Sequence, residues 1–161
     1  MRVKIGAFGA LTVVLVAGFM LATLLPASSA TSLKLYEKER EGFQTIINTD
    51  GKGNGPGDYF VGSHPLYRAG TSDRVGREIV QLTIIRTLGK NQRDARFRIA
   101  STFRVNGSTL EVAGSGKLSE LEKGTAAFSI TGGTRDYSGA SGSATVRVGL
   151  RRDHITFNIT P

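Results

Sequence analysis

The chain has 161 residues, 39% of them hydrophobic, and its 21 Lys and Arg against 13 Asp and Glu give a net charge of +8. It has no cysteine and two histidines, which excludes disulfide staples, thiolate chemistry and a Cys/His metal centre. His64 and His154 stand far apart and no carboxylate cluster has ligand spacing, so neither a metal nor a cofactor is expected.

In chain order, residues 1–30 read as an export signal. Arg2 and Lys4 precede an almost uninterrupted apolar run from Ile5 to Leu25. Pro26 ends the run, and Ala27-Ser-Ser-Ala30 supplies small residues for cleavage after Ala30. A helical run of this length also reaches across a bilayer, so an uncleaved anchor stays open as the one route to a membrane. The expected address is secreted and extracellular. Residues 31–161 have the size of one domain and keep a basic balance, because only Arg2 and Lys4 leave with the leader.

Almost every later segment alternates with a period of two. Leu33 and Leu35 alternate with polar residues between Ser32 and Glu39, and Gly42–Asn48 holds Phe43, Thr45, Ile46 and Ile47. The Gly/Pro-rich stretch 51–57 reads as a connection, followed by a short strand over Asp58–Ser63 and a turn at His64-Pro65. Arg77–Leu88 is a long β-branched run. Ala95–Val105 places Phe97, Ile99, Ser101, Phe103 and Val105 on one face, and Asn106-Gly107 is a two-residue hairpin signal. Strands over 109–116, 125–131 and 143–150 follow, the last with Ala144, Val146, Val148 and Leu150 on one face. A bend at Arg151-Arg-Asp153 starts the final strand. Eight or nine short strands without a convincing amphipathic helix predict an all-β domain, an antiparallel β-barrel or sandwich, preceded by the N-terminal apolar signal helix. A barrel is favoured because alternation persists to the last strand and leaves no sacrificial edge.

Arg96, Arg98 and Arg104 share one strand face, but no aromatic residues interleave with them there as a base-stacking platform requires. Nucleic acid is therefore not an expected partner.

Two segments carry a family resemblance. Gly57-Asp-Tyr-Phe-Val-Gly-Ser-His-Pro-Leu-Tyr67 with Val75-Gly76 is one, and Phe128-Ser-Ile-Thr-Gly-Gly-Thr-Arg-Asp-Tyr-Ser-Gly-Ala-Ser-Gly142 is the other. Together, over roughly 43–157, they resemble the superfamily of allene oxide cyclases and dirigent proteins, particularly its bacterial secreted members. The resemblance implies an eight-stranded barrel with a ligand cavity at one mouth, and a homotrimer. It also implies either an isomerase or cyclase acting on a lipid, polyketide or phenolic intermediate, or a non-oxidising guide of radical coupling. Asp136 matches the family's acid in the Gly-rich turn, whereas Ser141 stands where an arginine is usual and Arg135 replaces a glycine. The cysteine of the plant cyclases has no counterpart, so their specific activity is not implied.

Candidate catalytic residues are Asp136, Tyr59 and His64, which supply an acid, a phenol and an imidazole for proton transfer. Asp58, Tyr67, Phe97, Phe103 and Tyr137 are candidate ligand contacts. Each also has a structural reading. Asp58 and Asp136 are routine turn formers, His64 lies at the expected turn, and the phenylalanines are large enough to fill a small barrel. Whether the chain is an enzyme stays open. The expected function is a secreted barrel that binds a small apolar molecule in its lumen and steers or catalyses its cyclisation or isomerisation. The alternative is a structural or cell-envelope barrel with a filled core.

Overall fold

Inward and outward side chains alternate along nine antiparallel strands, and this alternation builds the barrel wall. The computed structural model describes residues 29–38, 40–51, 55–87 and 95–161. The apolar run Ile5–Leu25, expected as an export signal, lies outside the described residues, and no described helix is long and apolar enough to cross a membrane.

The strands are β1 (Thr31–Lys38), β2 (Phe43–Ile47), β3 (Tyr59–Arg68), β4 (Arg74–Arg86), β5 (Arg96–Val105), β6 (Ser108–Lys117), β7 (Ala126–Thr134), β8 (Ser141–Arg147) and β9 (Arg152–Thr160). They hydrogen-bond in the order β1-β9-β8-β7-β6-β5-β4-β3-β2, and β1 also pairs with β3. That last pairing, Leu35 with Arg68, Tyr36 with Tyr67 and Glu37 with Leu66, closes an eight-stranded barrel. β2 is a ninth strand laid along the other half of the same β3 edge, from Phe43 opposite Ser63 to Ile47 opposite Tyr59.

β3 runs through the expected turn: His64 pairs with Glu78 and Pro65 with Arg77 in the middle of the strand. Pro65 falls where the β2 pairing has stopped at Ser63 and the β1 pairing begins only at Leu66. A residue without an N–H is tolerated at such a break in the ladder. The Asn106-Gly107 hairpin forms as the sequence indicates, with φ of 49° and 85°, the left-handed pair of a type I′ turn. β8 ends at Arg147, three residues before the expected Leu150, so Val148 and Leu150 are exposed rather than inward.

A short helix, α1 (Leu118–Glu122), was not expected. Five residues are too few for periodicity to register, and tertiary contact secures the turn. Leu118 and Leu121, three apart on one face, pack on the core, and Glu120 accepts a 3.0 Å hydrogen bond from the Lys117 N–H.

β6 and β7 meet at α1 at one end of the barrel, and β7 and β8 are joined at the other end by a single 3-10 turn over Arg135–Tyr137. The end carrying the 3-10 turn is packed solid. Phe103 meets Phe157 edge to face at 4.9 Å between centroids, and Val105, Leu110, Ala140 and Ile159 fill the space around them. Burial of each of these side chains except Ala140 contributes roughly 1.5–3 kcal/mol. The α1 end is different, because its lumen is not filled.

Candidate functional site

Two adjacent spaces occupy the α1 end. The outer one, a vestibule of about 310 Å³, is lined by Ile46, Asp58, Tyr59, Phe60, Leu82, Ile84 and Leu118. The inner chamber, about 210 Å³, lies within the barrel. Its wall is apolar on one side, from Phe60, Val80, Leu82, Ile99, Leu121, Phe128 and Val146, and polar on the other, from Glu37, Gln44, His64, Glu78 and Asp153. Phe60 and Leu82 line both spaces, so they form the partition between them.

The polar side follows from strand register. Glu37 continues the inward face of Leu33 and Leu35 on β1, and Asp153 pairs with it from β9. Glu78 shares its β4 face with Val80, Leu82 and Ile84, and pairs with His64 of β3. Asp153, Glu37, His64 and Glu78 thus lie on strands that are successive neighbours around the wall.

The His64 ring is wedged between two glycines. A Cβ at Gly42 would stand 2.0 Å from His64 Nδ1, and one at Gly62 would stand 2.8 Å from Nε2, so both positions must lack a side chain for the ring to occupy this site. His64 Nδ1 lies 3.8 Å from Glu37 Oε2, and that oxygen is buried with no hydrogen-bond partner.

Burial decides the protonation of this group. It is the largest influence raising Glu37, with the Glu78 carboxyl adding to it by repulsion and by a shared hydrogen bond, and Asp153 adding more. Burial also raises Glu78, against the Ser101 hydroxyl and the hydrogen bond from Glu37, which favour its charged form. Two carboxyls this close in an apolar lumen retain a proton between them. Burial pushes His64 the opposite way, below its ordinary value, and Arg77 assists while Asp153 opposes. The chamber therefore offers a protonated acid beside a neutral imidazole, a pairing able to give a proton at one atom and take one from another.

The structure brings some of the sequence candidates together and separates others. His64 is in the chamber, and Tyr59 and Asp58 are in the vestibule. The Asp58 carboxylate is fully engaged: it accepts from Thr49 N at 2.6 Å, Thr49 Oγ1 at 2.9 Å and Gly55 N at 2.6 Å. The Gly55 and Thr49 amides hold its pKa below the ordinary value. Tyr67 faces outward, stacked on Tyr36 at 5.3 Å, donating to Glu41 and lying 4.3 Å beneath the Lys38 ammonium. Phe97 is buried in the core, edge to face against the chamber's Phe128, while Phe103 belongs to the packed end. Asp136 and Tyr137 lie at the opposite end from the chamber; Asp136 accepts from Ser108 Oγ at 2.9 Å, and Tyr137 packs on the core.

Glu37, Glu78 and Asp153 are the site residues that the sequence reading missed. Extending the Leu33–Leu35 alternation by two residues reaches Glu37; the same step back from Val80, Leu82 and Ile84 reaches Glu78 once the β3 register shows that this β4 face is inward. Among the described residues no group of three or more His, Cys, Asp or Glu side chains is disposed to hold a metal ion.

No protein-family model matches the chain, and no curated relative matches it. Solved structures do. A pyocyanin demethylase superposes with a TM-score of 0.67 at 17% identity, over 81% of this chain and 100% of that one. A pterocarpan synthase dirigent protein gives 0.63 at 19% identity, over 87% of this chain and 94% of that one. The chain has the fold of the dirigent and cyclase-like barrels. An exo-specific intermolecular Diels-Alderase shares it too, with a TM-score of 0.59 at 15% identity over 80% of this chain and 98% of that one.

Proposed function

We propose that this dirigent-like barrel is exported, holds one small, mostly apolar molecule in its α1-end lumen, and steers or catalyses cyclisation or isomerisation of that molecule. The observation that carries the reading is the chamber itself: an apolar wall facing Glu37, His64 and Glu78 inside an otherwise packed barrel. A shaped apolar space selects one conformer of a flexible substrate, and the polar side fixes its orientation. His64 accepts a proton, the Glu37–Glu78 pair supplies one, and Tyr59 with Phe60 and Leu82 governs entry from the vestibule. Asp136 and Tyr137 are assigned to the turn that closes the far end. Barrels of this fold include a dirigent protein and a Diels-Alderase, which supports a role in guiding ring formation.

Mass spectrometry of small molecules retained on the purified protein tests the reading. A bound organic molecule is expected, and it is expected to be lost from a Val146→Trp variant that fills the chamber. Retention by that variant, or a wild-type protein that takes up no apolar ligand, overturns it.

A further inference from the structure

We infer that the lumen is built for a ligand whose apolar body carries a protonated amine, bound with its N–H groups against Glu37 and Glu78. This rests on the lumen-binding reading above and narrows the ligand to one chemical class. Three carboxyl groups, Glu37, Glu78 and Asp153, face the chamber, and among the described residues no Lys or Arg lines it. Arg77, whose guanidinium acts on His64, is exposed on the outer face, where its Nη1 donates to Ser63 Oγ at 2.9 Å. The chamber is thus acidic inside a basic protein.

Glu37 Oε2 adds a specific demand. The residue is more than nine-tenths buried, lines the chamber, and this oxygen has no hydrogen-bond donor. A buried acceptor left unpaired is costly, and a ligand N–H meets it. A neutral hydroxyl also supplies one donor, but only a cation can replace the shared proton that otherwise offsets the mutual repulsion of the carboxyls. An ammonium supplies several donors and charge together. Phe60 and Phe128, in the same wall, suit the apolar body and add ring faces on which a cation is favoured.

The linkage follows. The pair holds a proton when no ligand is bound, and an entering ammonium stabilises both carboxylates, so one proton passes from the pair to solvent. Affinity then rises with pH. Around the pair, Glu37 of β1 and Glu78 of β4 share the chamber with His64 of β3 and Asp153 of β9, while Ser101 of β5 hydrogen-bonds Glu78 and Arg77 of β4 acts on His64.

The test is calorimetric titration of the purified protein with 2-phenylethylamine and its neutral isostere 2-phenylethanol, at about pH 6 and about pH 8, in buffers of different ionisation enthalpy. The amine is expected to bind at least about tenfold more tightly than the alcohol, more tightly at the higher pH, and with proton release. Glu37→Gln and Glu78→Gln are each expected to shrink the amine-to-alcohol ratio severalfold. Equal affinity for the two probes, or amine binding without proton release, overturns the inference and leaves lumen binding standing. A preference that survives in both variants also overturns it. Binding of neither probe overturns the inference together with the lumen-binding reading.

Discussion

His64 Nδ1 and Glu37 Oε2 face each other at 3.8 Å across the start of the β1–β3 seam, inside the barrel. Burial moves the two groups in opposite directions, so the acid keeps its proton and the imidazole stays neutral. This arrangement costs stability in a way that pH exposes. Glu37 and Glu78 are raised in the folded protein above the ordinary 4.5. A raised acid binds more protons folded than unfolded, so its contribution is fully present below about 4.5 and is lost as pH climbs through the folded values. His64, lowered from 6.5, acts oppositely: its contribution is present above that value and lost as pH falls through the folded one. The thermal midpoint is therefore expected to decline toward alkaline pH, and Glu78→Gln, which cannot ionise, is expected to flatten that decline. At alkaline pH the variant should be the more stable by about 2 kcal/mol. Parallel pH–midpoint curves for the two proteins would refute the buried-acid assignment.

Closure of the barrel depends on a second pair. Tyr36 and Tyr67 are register partners on β1 and β3, stacked at 5.3 Å, with Arg152 4.8 Å from the centre of the Tyr36 ring and Tyr36 Oη donating 2.8 Å to Thr71 O. The β1–β3 pairing spans only three register positions, so side chains must supply much of its hold. Tyr36→Ala is expected to destabilise the protein by about 3 kcal/mol and to raise amide exchange first in β1. Uniform exchange across all nine strands would show that the seam is not the weak point.

How much was legible depended on whether a residue's face could be fixed locally. Phe97 to Val105 alternates without ambiguity, and the structure keeps that inward set intact. Glu78 was hidden because Ile79 and Val80 are both apolar, so β4 has no parity until β3 supplies the register through His64. The His64-Pro65 pair carries a strong local turn signal that tertiary pairing overrides. Phe103 and Phe157 do fill a barrel end, as their bulk suggests, but only one end. No local pattern shows where the filling stops, since that depends on which strands meet across the lumen.

Arg135 adopts φ of 54°, a left-handed conformation that side chains resist, in the turn where the related barrels are expected to carry glycine. Arg135→Gly is expected to stabilise the protein by about 0.5 kcal/mol, because relief of strain exceeds the added freedom of the unfolded chain. Arg135→Ala keeps the strain and should give no gain. Chemical denaturation of the three proteins side by side decides this, and equal gains from both variants would point to removal of charge instead.

Asp136 and Val146 separate the two ends of the barrel. Asp136 accepts from Ser108 in the 3-10 turn, whereas Val146 lines the chamber at the α1 end. Asp136→Asn weakens a charge-assisted hydrogen bond and is expected to cost about 1 kcal/mol of stability, with ligand retention unchanged. Val146→Trp is expected to abolish ligand retention, and its thermal midpoint reports whether the fold survives the larger ring. Loss of ligand or turnover in a fully folded Asp136→Asn protein would move the functional site to the Gly-rich turn. Retention there with loss in Val146→Trp fixes the site in the α1-end chamber, where a protonated acid and a neutral imidazole stand beside an apolar wall.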